Sequence, residues 1–304
     1  KFLNVTSRAA LASFHLVGKK DKIAADKAAV DSMRAELNKL DINGQIVIGE
    51  GELDEAPMLY IGEKIGTKNG PNIDIAVDPL EGTNFAAYNL PGALSVIAIA
   101  EKNNLFKAPE TYMEKISANV HEKEVVDLDY SIKKNIYNLS DYLNKKPEDL
   151  TACIMDRPRH NSIIKELNNL KVKIKLITDG DVSGALLVTD KKYNVDIFLG
   201  IGGGPEGVLA ASALDAYECA FQGRFLFNTD EDKIRAKKMG IKNLKKKYEL
   251  NEIVSGDSIF CATGITSGDL LNGIVIEDKN FISETLVTHK SSKLKKIIKM
   301  EEKI

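Results

Sequence analysis

Three apolar runs in this chain end in loops where glycine and carboxylate side chains stand together. They are IVIGEGELDEAP (Ile46 to Pro57), DIAVDPLEGT (Asp74 to Thr83) and LGIGGGPEG (Leu199 to Gly207). An apolar, β-branched run closed by glycine reads as a strand, and in α/β sheets ligands bind at the carboxyl ends of strands. Glu50, Glu52, Asp54, Asp78, Glu81 and Glu206 all fall at such ends. Two carboxylates about 4 Å apart repel by roughly 4 kcal/mol at an effective dielectric of about 20, so a packed cluster needs raised pKa values or cations. Oxygen donors without neighbouring His or Cys select Mg²⁺ or Mn²⁺ over zinc. The four histidines, His15, His121, His160 and His289, lie outside these loops and read as surface or hydrogen-bonded residues.

Around these junctions the chain alternates between helix and strand. Thr6 or Ser7 is expected to cap a first helix ending near Gly18. Val30, Met33, Leu37 and Leu40 form the stripe of a second, with Asp26 one turn earlier on the same stripe. Gln45–Ile48, Asp74–Val77 and Ala93–Ala100 read as strands, and Ala56–Ile65 as a helix. Residues 104–129 read as irregular strands, followed by a helix capped by Ser131 with Ile132, Ile136, Leu139 and Leu143 on one face. Ala152–Met155, Lys171–Ile177, Val195–Leu199 and Ser258–Ala262 alternate with helical stretches, the rhythm of a parallel sheet. Pro147 marks a boundary between a metal-binding α+β lobe (1–145) and a substrate-binding α/β lobe (146–304). The Lys-rich end, with Lys293, Lys295, Lys296 and Lys299, reads as a solvated helix face backed by Leu294, Ile297 and Ile298 rather than as an anion-binding tail.

With 304 residues the chain has length for two lobes. Its 42 basic and 44 acidic side chains nearly cancel, so no bulk attraction draws it to nucleic acid or an anionic membrane, and any phosphate must be met by a local site. Cys153, Cys219 and Cys261 have neither zinc nor disulfide spacing and read as reduced thiols in cytosol. No secretion signal is expected at the Lys1 start, and no apolar run approaches the ~20 residues of a membrane helix.

Within Asp78–Thr83, D-P-L-E-G-T sets two carboxylates three apart, stiffens the turn with Pro79 and ends on a hydroxyl. With GKKDKIAADKAAV, the upstream G-E-G-E, ETYMEK, RPRH, TDGDV, GIGGGPEGV and ATGITSGDLL, the chain resembles the class II fructose-1,6-bisphosphatases, within the wider metal-dependent, lithium-sensitive sugar and inositol phosphatases. Glu81, where the wider group has Asp, is the class II form. The stretch after Gly223 and Arg224 is shorter than usual for that family, and the end after Lys290 matches poorly, which bears on oligomer contacts and regulation.

The resemblance implies a layered α/β/α/β/α sandwich and a cytoplasmic, gluconeogenic phosphomonoester hydrolase, assembled as a dimer or tetramer, that converts fructose 1,6-bisphosphate to fructose 6-phosphate. Sedoheptulose 1,7-bisphosphatase and inositol-phosphatase-like activities are the alternatives. It also implies that Asp26 and Glu50 hold one Mn²⁺ or Mg²⁺, and Asp78, Glu81 and Glu206 another. Substrate contacts would come from Glu81, Gly82, Thr83, Tyr112, Arg157, Pro158, Arg159, Asp179, Gly180, Asp181 and Gly203. The residue types agree, since arginines flanking Pro158 suit phosphate and the T-D-G-D acids suit sugar hydroxyls. Thr83 is expected to orient the attacking water, aided by Asp54 or Glu52, and Lys22 to help neutralise the phosphate.

Three rival motifs are weaker. Cys153 to Arg159 satisfies the spacing of a thiolate phosphatase loop, but without its glycines. Asp127 to Ser131 approximates an aspartyl-phosphate motif and reads better as a charged turn before a helix cap. Gly202, Gly204 and Gly207 fit a dinucleotide-binding pattern, yet Glu206 would sit where a pyrophosphate approaches.

Overall fold

The computed structural model of the chain describes residues 1–51 and 58–304. Its elements begin with α1 (Phe2–Phe14), α2 (Lys22–Leu37), β1 (Asn43–Ile48), β2 (Lys64–Ile65), β3 (Asn72–Glu81), α3 (Thr83–Tyr88), β4 (Leu94–Glu101) and β5 (Tyr112–Ala118). Next come α4 (Ile132–Leu143), β6 (Thr151–Met155), α5 (Asn161–Asn169), β7 (Lys173–Ile177), α6 (Asp181–Leu186), β8 (Ile197–Gly203) and α7 (Gly204–Tyr217). The chain closes with β9 (Ala220–Leu226), α8 (Asp230–Lys238), β10 (Lys247–Glu249), α9 (Leu250–Ile253), β11 (Ser258–Gly264), β12 (Val275–Glu277), β13 (Asn280–His289) and β14 (Leu294–Lys303). The result is a mixed α/β protein with two sheets.

By its contacts the chain divides into one unit of residues 1–107 with 254–304 and another of residues 108–253. The boundary expected at 145/146 is corrected by strand pairing: β11 lies antiparallel between β4 and β13, which returns the last fifty residues to the first sheet. Ser258–Ala262 therefore does not join the parallel strands as expected. Among the described residues the first sheet has the order β12-β13-β11-β4-β3-β1-β2, with β14 on β13. Asp21 starts α2 by accepting the Ala24 N–H at 2.9 Å. Val30, Met33 and Leu37 of α2, with Val5 and Ala9 of α1, bury against Ile75, Val77, Ile97 and Ile99.

Three local expectations fail here. Thr6 and Ser7 lie inside α1, because the helix already begins at Phe2; Thr263 donates to the Thr6 hydroxyl at 2.7 Å. Met58–Gly62 is a turn leading to β2 rather than helix, with Gly62 at φ +97°; Ala56 and Pro57 fall outside the described residues. The Lys-rich end is strand β14, paired with β13 from Asn280↔Lys303 to His289↔Leu294. Ile298, Met300 and Glu302 alternate there with Lys299, Glu301 and Lys303, a period of two that pairing with the preceding strand β13 makes decisive.

The second sheet has the order β10-β9-β5-β8-β6-β7. As expected, β6 runs parallel to β7 and β8, whereas β5 is antiparallel to β8 and β9. Ser131 caps α4 as expected, accepting the Lys134 N–H, and Ile136 and Leu139 bury with Ile116, Ile197 and Leu199. Among the described residues no helix is long and apolar enough to cross a membrane. All three cysteines are buried, and burial pushes the Cys261 thiol up to about 12.

Candidate functional site

In the first unit β1 and β3 run parallel as neighbours, so their carboxyl ends share one edge, with Glu50 just beyond β1 and Asp78 and Glu81 closing β3. Residues three apart on a regular strand face opposite ways. Asp78, however, stands opposite Val96, and Glu81 opposite Leu94. One extra residue is absorbed by a bulge at Pro79 and Leu80, which turns both carboxylates to the same face. Pro79 has no N–H to lose from the ladder. Gly82 follows in the left-handed region at φ +79°, where a Cβ would also lie 2.8 Å from the Phe85 ring. Half-buried Thr83 is then the first residue of α3.

Just past β1, the Glu50 N–H donates to Leu59 O at 3.1 Å and the Ile61 N–H to Gly51 O at 2.9 Å. Glu63, which sequence reasoning passed over, is buried and accepts from the Leu59 N–H at 2.5 Å and Arg34 Nε at 2.6 Å. Glu52 and Asp54 lie outside the described residues. Asp26 is half-buried on α2, which packs on β3 and α3, and burial raises its carboxyl above the ordinary range. Lys22, at the start of α2, is exposed with its ammonium 5.8 Å from the Tyr88 ring centre.

In the second unit the parallel strands β6, β7 and β8 deliver Arg157–Arg159, Asp179–Asp181 and Gly203 to one edge. Antiparallel β5 begins there, placing Tyr112 opposite Gly203. The Arg159 guanidinium lies 4.8 Å over the Tyr112 ring, and its Nε donates to Ile201 O at 2.9 Å. Arg157 Nη2 is 3.8 Å from Asp179 Oδ1. Tyr112, the Arg-Pro-Arg turn, Asp179–Asp181 and Gly203, expected to act together, are thus gathered at one edge. His160 locks that turn: its Nε2 accepts the Ile201 N–H at 2.8 Å and its Nδ1 lies 2.7 Å from Met155 O. A ring nitrogen accepting from a backbone N–H carries no proton, so His160 is neutral and donates through Nδ1. Burial lowers its pKa, against the pull of the Met155 carbonyl.

At the glycines that close β8 and open α7, this chain's own side chains fill the space a Cβ would need. A Cβ on Gly202 would lie 1.9 Å from Asp181 Oδ2, and one on Gly203 would lie 1.8 Å from Glu206 Oε2. Gly204 faces the Phe225 ring and Gly207 the Met113 sulfur, which removes the room a dinucleotide needs. Lys115, also missed from sequence, is fully buried; it donates to the Asp181 carboxylate and, at 2.6 Å, to Gly203 O. Burial, opposed by Lys115 and reinforced by Asp181, holds the Glu206 carboxyl above its ordinary range. The rival thiolate loop fails, since Cys153 is buried within β6. Asp127 and Asp129 form the expected charged turn, held by Lys247.

The expected ligands Asp26, Glu50, Asp78, Glu81 and Glu206 offer oxygen only. Two of them, Asp26 and Glu206, sit where burial opposes their charge, which a hard divalent cation would offset, so the donor chemistry fits Mg²⁺ or Mn²⁺. Among the described residues no three His, Cys, Asp or Glu side chains are gathered closely enough to hold an ion by themselves.

A family model described as bacterial fructose-1,6-bisphosphatase, glpX-encoded, matches residues 1–302. A Haemophilus influenzae protein named fructose-1,6-bisphosphatase class 2 is 41% identical, over 98% of this chain and 93% of its own. Escherichia coli fructose-1,6-bisphosphatase 1 class 2 is 41% identical, over 96% and 91%. A Synechocystis protein named D-fructose 1,6-bisphosphatase class 2/sedoheptulose 1,7-bisphosphatase is 42% identical, over 90% and 87%.

Proposed function

The chain belongs to the family of bacterial glpX-encoded, class 2 fructose-1,6-bisphosphatases, and from that membership we propose that it hydrolyses the 1-phosphate of fructose 1,6-bisphosphate, giving fructose 6-phosphate and phosphate. The observation that carries the reading is the edge where Arg157, Arg159, Tyr112, Asp179 and Asp181 assemble, with cations for a phosphate beside acceptors for sugar hydroxyls.

Asp26 and Glu50 are proposed to hold one divalent cation, Mg²⁺ or Mn²⁺, and Asp78, Glu81 and Glu206 another. When bound, such ions acidify water and neutralise phosphoryl charge, which a monoester hydrolysis this slow in water demands. The chain's own residues do the positioning. Arg157 and Arg159 bind phosphate, with Arg159 pre-ordered by the Tyr112 ring and the Ile201 carbonyl. Gly82 leaves its backbone close to the ligand, and Glu81, Gly82, Pro158, Gly180 and Gly203 complete the substrate contacts. Thr83 orients the attacking water through its hydroxyl, with Asp54 as proton acceptor. No side chain forms a covalent intermediate, so no phosphoenzyme is expected. We place the enzyme in the cytoplasm, in gluconeogenesis, as a dimer or tetramer; its buried thiols suit a reducing compartment.

Sedoheptulose 1,7-bisphosphate is the second reading, favoured by the 42% identity to the Synechocystis protein that carries both names. Phosphate release from both bisphosphates and from inositol monophosphate, with Mg²⁺, with Mn²⁺ and with EDTA, tests the proposal. Metal-dependent release with a preference for fructose 1,6-bisphosphate is expected. A preference for inositol monophosphate, or release that survives EDTA, would refute it.

A further inference from the structure

We propose that Lys115 is a positioning residue for the sugar part of the substrate: it holds Asp181 by one carboxylate oxygen so that the other accepts a hydrogen bond from a sugar hydroxyl. The inference rests on the phosphatase reading above and names a residue outside its metal and substrate sets.

Lysines keep their ammonium in water wherever the stem allows. Lys115, on the central strand β5, is only 1% exposed, so its Nζ must find its partners inside the protein rather than in water. Its Nζ donates to Asp181 Oδ2 and to Gly203 O at 2.6 Å. It therefore ties the start of α6 to the junction of β8 with α7, from which Glu206 projects. The Asp181 carboxylate cannot retreat towards β8, because it already fills the place of a Cβ on Gly202 at 1.9 Å.

Pinned in this way, Asp181 is 7% exposed, and its Oδ1 is buried without any hydrogen-bond partner among the described residues. Buried acceptors left without a donor are rare in folded proteins because they forfeit their hydration. This one lies at the edge that gathers Tyr112, Arg157 and Arg159, so a neutral O–H from the sugar supplies the missing donor. Without Lys115 the carboxylate would lose its anchor and turn to solvent, and the acceptor would no longer wait in place.

The test is calorimetric binding of fructose 6-phosphate, with initial rates on fructose 1,6-bisphosphate, for wild type, Lys115→Met, Asp181→Asn and the double variant. Each single change is expected to weaken binding and raise KM by about tenfold or more, as for a lost hydrogen bond to a charged group, while kcat moves less than about threefold. Because Lys115 acts through Asp181, the double variant is expected to be no worse than Asp181→Asn, where independent roles would multiply. A folded Lys115→Met that binds fructose 6-phosphate within about twofold of wild type, or multiplying losses, overturns the proposal. Should Lys115→Met not fold, comparing the double variant with Asp181→Asn decides alone, because removing both charges leaves none buried without its partner. A wild type that binds fructose 6-phosphate yet releases no phosphate would sink the phosphatase reading while the binding data still judge Lys115.

Discussion

Asp78 and Glu81, three residues apart in the chain, stand opposite Val96 and Leu94, which are two apart. The bulge at Pro79 and Leu80 thus sets on one face two carboxylates that a regular strand would send to opposite faces. Replacing Glu81 by Gln keeps the shape and removes the charge. Phosphate release is expected to fall by about a hundredfold or more, the scale of losing one preorganised electrostatic group. Steady-state rates at saturating Mg²⁺ or Mn²⁺ check this, and wild-type turnover in Glu81→Gln would remove Glu81 from the metal set.

Thr83 opens α3 directly after left-handed Gly82. Thr83→Ala is expected to lower kcat by about 10²–10⁴-fold, the range for a lost proton-handling contact, while Thr83→Ser retains most activity. Calorimetry should find metal affinity unchanged. An unaltered kcat in the alanine variant would refute the role given to the hydroxyl.

At Gly203 the smallest change tests packing against chemistry. The added methyl of Gly203→Ala would sit 1.8 Å from Glu206 Oε2, so the carboxylate must move. We expect kcat/KM to drop at least about tenfold with little change in Tm, since a small misplacement near reacting groups outweighs its effect on stability. Enzyme assays paired with thermal melts measure both.

His160 supplies a pH signature. Its pKa is lowered from 6.5 by burial, so the unfolded chain binds the proton more tightly than the native one. Its stabilisation is therefore whole above pH 6.5 and is lost as pH falls below that value. His160→Phe, leaving the Ile201 N–H and the Met155 carbonyl unpaired, should cost about 1–3 kcal/mol at neutral pH. Urea titrations at stepped pH from neutral to mildly acid should show a smaller loss of stability in the variant than in wild type.

Asp127 and Lys247 give a second loss on acidification, at lower pH. Burial alone would raise the Asp127 carboxyl, but bonds from Lys247, the Asp129 N–H and Gln222 outweigh it and hold it below 3.8. A lowered carboxyl stabilises the fold above its unfolded pKa, and that contribution disappears as pH falls through the native value. Lys247→Met is therefore expected to cost about 1–2 kcal/mol at neutral pH, as for a charge-assisted bond, with the deficit shrinking below pH 3.8. Denaturant midpoints of the two proteins should converge at low pH.

Much of the site was legible residue by residue. Strand ends bearing Glu50, Asp78, Glu81 and Glu206 follow from apolar runs closed by glycine, and Ser131 announces the helix it caps. The Arg-Pro-Arg and Asp-Gly-Asp segments were visible as phosphate and hydroxyl chemistry. Their common edge follows from β6, β7 and β8 being parallel. Lys115 escaped notice, and His160 was legible only as a surface or hydrogen-bonded residue, because a lysine and a histidine carry no mark of burial in their own neighbourhoods. Their partners, Asp181 and Gly203, and Ile201, lie 41 to 88 residues away.

By itself, then, the sequence determined the chemistry: oxygen ligands, basic residues for phosphate, glycines at the turns and the periodicities of most helices and strands. Only the tertiary structure decided that β11 to β14 return to the first sheet, that the Lys-rich end is a strand, and that a bulge brings Asp78 and Glu81 to one face. Periodicity and turn chemistry are local and can be read in a window of residues. Strand partners, register and the burial of a single ammonium depend on contacts between distant segments, where one residue of slip reverses which face every side chain meets.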